Sequence, residues 1–310
     1  MTILVLLSGF TLALWGALSR TAGQSLHPRG WAVLALASLG SSAVCVILGL
    51  TLLSAPVVFQ AFGGSSVVHA CEVLLTRLEP GGFAMAWAAT IVLTATVLHT
   101  LASVWRCRRV RGALWIDSTL GQHEPCSSFD LIILPTDAPL AYNLGGSTAQ
   151  VVVSEGLKVR LGEAGFRAVV AHEEAHVRGQ HDRWLELVDV CSSVLWFVPW
   201  GRRAADSVRL ALEFWADQSA AAVTDRHTLR TALLLAVDVA PTQSPAPGLN
   251  GADALAERVA RLEDPAPRLG LSKVGALLIG ASLATAVGGG AGAAAGVPEL
   301  MALFSHICPL

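Results

Sequence analysis

The sequence is short of charge. Of its 310 residues only 14% are Asp, Glu, Lys or Arg, where a soluble domain carries about a quarter. With 53% hydrophobic residues and a mean hydropathy of +0.58, this deficit points to a membrane protein. The net charge of −2 leaves no basic footprint for nucleic acid. A basic start before the first apolar run is also missing, which argues against a cleaved signal peptide. Cysteines number six, and Cys45, Cys107, Cys126 and Cys191 show no metal-ligand spacing, so they read as unpaired. Tyr142 is the single tyrosine. Its neighbourhood, Tyr142-Asn-Leu-Gly-Gly, reads as a turn, with the phenol a minor candidate for stabilising an oxyanion.

What is present is long apolar helix. A hydrocarbon core about 30 Å thick needs about 20 apolar residues to cross it. Residues 31–53, 83–105 and 274–296 meet this without a charged residue, and 1–19 is just long enough. Four transmembrane helices are therefore expected. Arginines in short loops set orientation. Arg20 and Arg29 lie in the first loop, and Arg106, Arg108, Arg109 and Arg111 follow the third span. The expectation is a bacterial plasma-membrane protein with both termini outside and residues 106–273 inside.

Three parts follow. Residues 1–111 hold three spans, 112–270 a cytoplasmic domain, and 271–310 the fourth span with a short outer tail. In the domain, Phe129-Asp-Leu-Ile-Ile-Leu and Gln150-Val-Val-Val-Ser predict strands, and 157–161, 163–179, 202–222 and 254–262 predict helices. Residues 185–200 are apolar but too short for a span. They are expected to lie against the membrane or on the spans. His99, inside the third span, reads as a packing histidine. Gly288, Gly292 and Gly296 repeat every four residues. They give a close-packing face for another helix of this chain or, in a homodimer, of a second copy.

The chemistry rests on His172-Glu173-Glu174-Ala175-His176. Residues i and i+4 share one helix face, so His172 and His176 can offer two imidazoles to one zinc ion. Glu173 stands beside them as general base. A catalytic zinc site wants a third protein ligand. Glu213 in Glu213-Phe-Trp-Ala-Asp217 is the first choice, with Asp217 one turn on to receive a histidine N–H. His181, five residues past His176, is the rival.

These stretches resemble the BlaR/MecR-type membrane peptidases, transducers of beta-lactam sensing. The likeness runs through His172-Glu-Glu-Ala-His176-Val-Arg-Gly-Gln-His-Asp182, Leu-Trp-Phe-Val-Pro and Leu-Glu213-Phe-Trp-Ala-Asp217, and covers about 130–265. Asn143 and Val151-Val-Val-Ser-Glu-Gly-Leu157 are similar to the segment before the metal helix there and in HtpX-type proteases. The resemblance implies an α-helical membrane protein with a cytoplasmic α+β zincin-like domain. It implies zinc on His172, His176 and Glu213, with Glu173 as base. It also implies cleavage of a cytoplasmic winged-helix repressor or of the chain itself. Quality-control proteolysis of the HtpX kind is the alternative, and a non-catalytic receptor is disfavoured by the intact motif. The sensors' penicillin-binding domain and a Ser-x-x-Lys motif are both missing. Direct contact with nucleic acid is not expected.

The expected topology puts Cys71 and Cys308 on the same outer side. They could form a disulfide, or the pairs His69/Cys71 and His306/Cys308 could bind a soft metal. Unrelated thiols are the third reading.

Overall fold

The computed structural model describes residues 2–23, 26–62, 82–118, 121–126, 129–144, 149–237 and 251–263. The expected fourth span, the Gly288/Gly292/Gly296 face, Cys71 and Cys308 lie outside these residues.

Three long helices come first: α1 (Thr2–Gly23), α2 (Pro28–Phe62) and α3 (Gly82–Ser118). Two of them, over Pro28–Val58 and Phe83–Leu114, are long and apolar enough to cross a membrane. On α3 large side chains face outward, with Ile91 65%, Leu98 62% and Leu101 62% exposed. Water would penalise such a surface and lipid would not. The helix runs unbroken across the expected boundary at 111/112. Small residues let α1 and α2 approach closely. Ser38 and Ser42 are buried and donate their hydroxyls across the interface to the carbonyls of Leu12 (2.6 Å) and Gly9 (2.7 Å).

A four-stranded sheet follows: β1 (Gln122–Pro125), β2 (Asp130–Leu134), β3 (Ala141–Leu144) and β4 (Gln150–Ser154). The strand order is β1-β2-β4-β3. The central pair β2/β4 is parallel, and both edge strands run antiparallel to their neighbours. Strand alternation divides the apolar residues. Leu131, Ile133, Val151 and Val153 pack toward Phe166 and Val170 of the next helix. Ile132, Leu134, Leu144 and Val152 form a cluster on the other face, together with Tyr142 and Leu114. Tyr142 is thus a strand residue rather than a turn residue.

Helix α4 (Glu155–Arg178) begins where β4 ends. The buried Ser154 caps it, accepting hydrogen bonds at Oγ from Leu157 N (3.1 Å) and Leu140 N (2.9 Å). Gly162 breaks the helical path at φ 65°, a conformation that costs a residue with a side chain more than glycine. This is the division between 157–161 and 163–179 seen in the sequence. Then come α5 (His181–Val194), α6 (Gly201–Val223), α7 (Arg226–Val237) and α8 (Gly251–Glu263).

The apolar stretch after α4 packs on the long helices. Trp196 donates its indole N–H to Thr96 Oγ1 of α3 at 3.1 Å, and its ring lies 5.8 Å from that of His99. Helix α6 is embedded more deeply. Ala204, Ala205, Val208, Leu212 and Phe214 share one core with Ala13, Trp31, Leu39 and Val46. That core fixes α6 against α1 and α2, and α6 in turn carries Glu213 and Asp217.

Candidate metal centre

The site forms where α4, α6 and α8 meet β3. On α4, His172 and His176 project from one face, their Nε2 atoms 3.1 Å apart. From α6, Glu213 places Oε2 3.5 Å from His172 Nε2 and Oε1 3.5 Å from His176 Nε2. One ligand atom from each of the three lies within 4.8 Å of the others. Two imidazole nitrogens at zinc distance and tetrahedral angle would be separated by about 3.3 Å. Spacing and donor types thus fit one zinc ion held by His172, His176 and Glu213.

The surrounding groups fix these side chains. Asp217 Oδ1 lies 3.0 Å from His172 Nδ1. With the proton on Nδ1, the lone pair of Nε2 is left facing Glu213 and His176, the tautomer a metal ligand needs. The ring of His181 meets His176 on the far side, Nδ1 to Nδ1 at 2.8 Å. His181 therefore stands behind His176 and outside the three-residue cluster, tilted against Trp215 with 4.6 Å between centroids. The turn that puts it there runs through Gly179 and the left-handed Gln180 (φ 51°). A methyl group on Gly179 would meet His181 Nε2 at 2.3 Å.

Glu173 points to the sheet side. Its Oε2 accepts a hydrogen bond from Asn143 Nδ2 of β3 at 3.1 Å. Asn143 and Ala141 point to the α4 face by strand alternation, and Tyr142 to the other. The tyrosine is thereby directed away from the site as an oxyanion donor. Arg258 of α8 closes the ring. Its Nε and NH2 bind the two oxygens of Asp217 at 2.8 and 2.7 Å, and its NH1 binds Glu213 Oε2 at 2.9 Å.

Burial and charge shift the titrations. Burial raises the Glu173 carboxyl above its ordinary value, which suits a proton acceptor. Burial also works against ionisation of Glu213 and Asp217, but Arg258 outweighs it and holds both below the usual carboxylate range. Burial pushes His176 down to about 4 and His181 down to about 3. For His172 burial opposes protonation, yet the bonds to Asp217 and Glu213 prevail and lift it to about 9. A positive charge is thus favoured between the two carboxylates, the place a metal cation would take.

Asn143 and Arg258 escape the motif. Asn143 lies 30 residues before Glu173 and Arg258 lies 41 after Asp217. The one signal for Arg258 is a cation on the amphipathic helix 254–262, where many surface helices carry one.

The family model Peptidase family M48 matches residues 118–210, the sheet and the motif helix included. That is a metallopeptidase family. The match stops short of Glu213, so the third member of the cluster stands on geometry alone. No curated protein matches the chain, and no solved structure matches it.

Proposed function

We propose that the chain is a membrane-embedded zinc endopeptidase that cuts a cytoplasmic protein. One observation carries this reading: His172, His176 and Glu213 converge within 4.8 Å beside a half-buried Glu173 held by Asn143. Zinc bound there would polarise a peptide carbonyl and acidify a coordinated water toward a pKa of about 7. Glu173 takes the water's proton on its carboxylate and delivers it to the leaving amine. Asn143 keeps that carboxylate aimed. Asp217 keeps His172 in the right tautomer, and His181 backs His176. Strand β3 is an edge of the sheet among the described residues, where an extended peptide could add as a further strand next to Glu173.

The membrane topology is part of the proposal: four spans, both termini outside, the catalytic domain inside a bacterial plasma membrane. The first turn of α2 supports it. Arg29 lies 5.4 Å from the Trp215 ring of α6, so the first basic loop and the domain share a side. For the substrate, we favour a BlaR/MecR-type role, cleavage of a winged-helix repressor or of the chain itself. The HtpX pattern has two spans between the metal helix and the third ligand. Here a single helix, α5, packs on α2 and α3. Comparing the proteomes of cells carrying Glu173→Gln and wild type tests the choice. One stabilised cytoplasmic regulator fits the first role, and a broad rise of membrane proteins would give the place to quality control.

A further inference from the structure

We propose that Arg258 is a positioning residue of the metal centre, holding Glu213 and His172 in ligand geometry from outside the ligand set. The inference rests on the zinc-peptidase reading above. Arg258 reaches the site from α8, the last described helix, with its side chain 14% exposed. Its guanidinium serves two carboxylates at once. Nε and NH2 grip both oxygens of Asp217 (2.8 and 2.7 Å), and NH1 grips Glu213 Oε2 (2.9 Å). Asp217 Oδ1 is also the atom 3.0 Å from His172 Nδ1. Arg258 therefore acts on one ligand directly and on a second through Asp217. NH2 also comes within 3.4 Å of His172 Nε2.

Helix α8 is itself pinned. Arg261 donates to Leu26 O at 3.0 Å and lies over the Phe214 ring at 4.6 Å. Glu263 pairs with Arg230 of α7. The guanidinium is thus delivered by a fixed element rather than by a loose side chain. Its planar fork suits this double grip, and an ammonium cannot reproduce it.

Charge and position predict opposite signs. A cation beside a metal site repels the metal, so on charge alone its removal should tighten zinc binding. Positioning predicts the reverse. Without the fork, Glu213 and Asp217 are two adjacent carboxylates free to turn apart, and His172 loses the carboxylate held 3.0 Å from its Nδ1. Loss of such outer supports weakens metal affinity by about 10–100-fold.

The test uses full-length protein in detergent and measures zinc affinity by chelator competition. Wild type, Arg258→Ala and Arg258→Lys are compared, with cobalt-substituted spectra recording ligand geometry. Arg258→Ala should bind zinc about 10–100-fold more weakly. Arg258→Lys, which keeps the charge, should remain at least about tenfold weaker than wild type and show an altered cobalt spectrum. Because Arg258 acts partly through Asp217, Asp217→Ala with Arg258→Ala should cost less than the two single losses combined. Equal or tighter binding in Arg258→Ala overturns the proposal. If that variant does not fold, wild-type affinity in Arg258→Lys overturns it alone. A wild-type protein that takes up no zinc would instead remove the metal reading on which the inference stands.

Discussion

At the scale of single residues, the site divides its labour between groups that would touch the metal and groups that aim them. Glu173 is half-buried and held by Asn143 at 3.1 Å, close to the cluster but outside it. Glu173→Gln preserves shape and removes the proton acceptor. It should keep about one zinc per chain and lose about 10²–10⁴-fold in cleavage rate. Metal analysis beside a cleavage assay checks this, and full activity with zinc bound would end the proposed mechanism. Glu213 and Asp217 separate by the same logic. Glu213→Ala removes a ligand and should strip zinc more thoroughly than Asp217→Ala, for which about a 10–100-fold loss in affinity is expected. Unchanged zinc content in Glu213→Ala would remove Glu213 from the ligand set. The residues legible in the sequence are those related by local geometry. His172 and His176 share a helix face through their spacing, as do Glu213 and Asp217. Asn143 and Arg258 arrive from other elements through the tertiary fold, and no local spacing encodes that.

At the scale of elements, the junction of β4 and α4 sets where the motif helix starts. Ser154 is buried there and its hydroxyl satisfies two backbone donors, Leu157 N and Leu140 N. Ser154→Ala removes a helix cap and leaves the Leu140 N–H without that acceptor. A loss of about 1–2 kcal/mol in stability is expected. Unfolding of the purified protein in denaturant measures it, and an unchanged midpoint would show that the cap contributes nothing. The central strands and helices α4, α6 and α8 were readable because β2 and β4 are continuous apolar runs and these helices carry stripes, whereas α7 (Arg226–Val237) was not expected. The edge strands were not readable. Gln122-His-Glu-Pro125 is polar and exposed along its length, and Ala141–Leu144 runs into a Gly-Gly pair, so both resemble loops. Edge strands are stabilised by backbone pairing to a neighbour already formed, which composition does not reveal. Helix α3 likewise continues to Ser118, past the span expected at 83–105.

At the scale of the whole molecule, the question is how the domain sits on the bilayer. The core joining α6 to α1 and α2 makes the domain and these long helices one body at that contact. Arg29 against Trp215 and Arg261 against Leu26 O tie the start of α2 and the residues just before it to the same side. If basic loops stay inside, the domain is inside. Cys126, exposed in the domain, reports this directly. In a chain whose one cysteine is Cys126, a membrane-impermeant maleimide should label nothing on intact cells and should label fully after permeabilisation. In a chain keeping Cys71 and Cys308 alone, the same reagent should reach intact cells only after reduction if the two form a disulfide. Labelling of both without reductant would rule the bond out. Labelling of Cys126 on intact cells would reverse the orientation, and with it the case for a cytoplasmic substrate, while the metal centre would stand untouched.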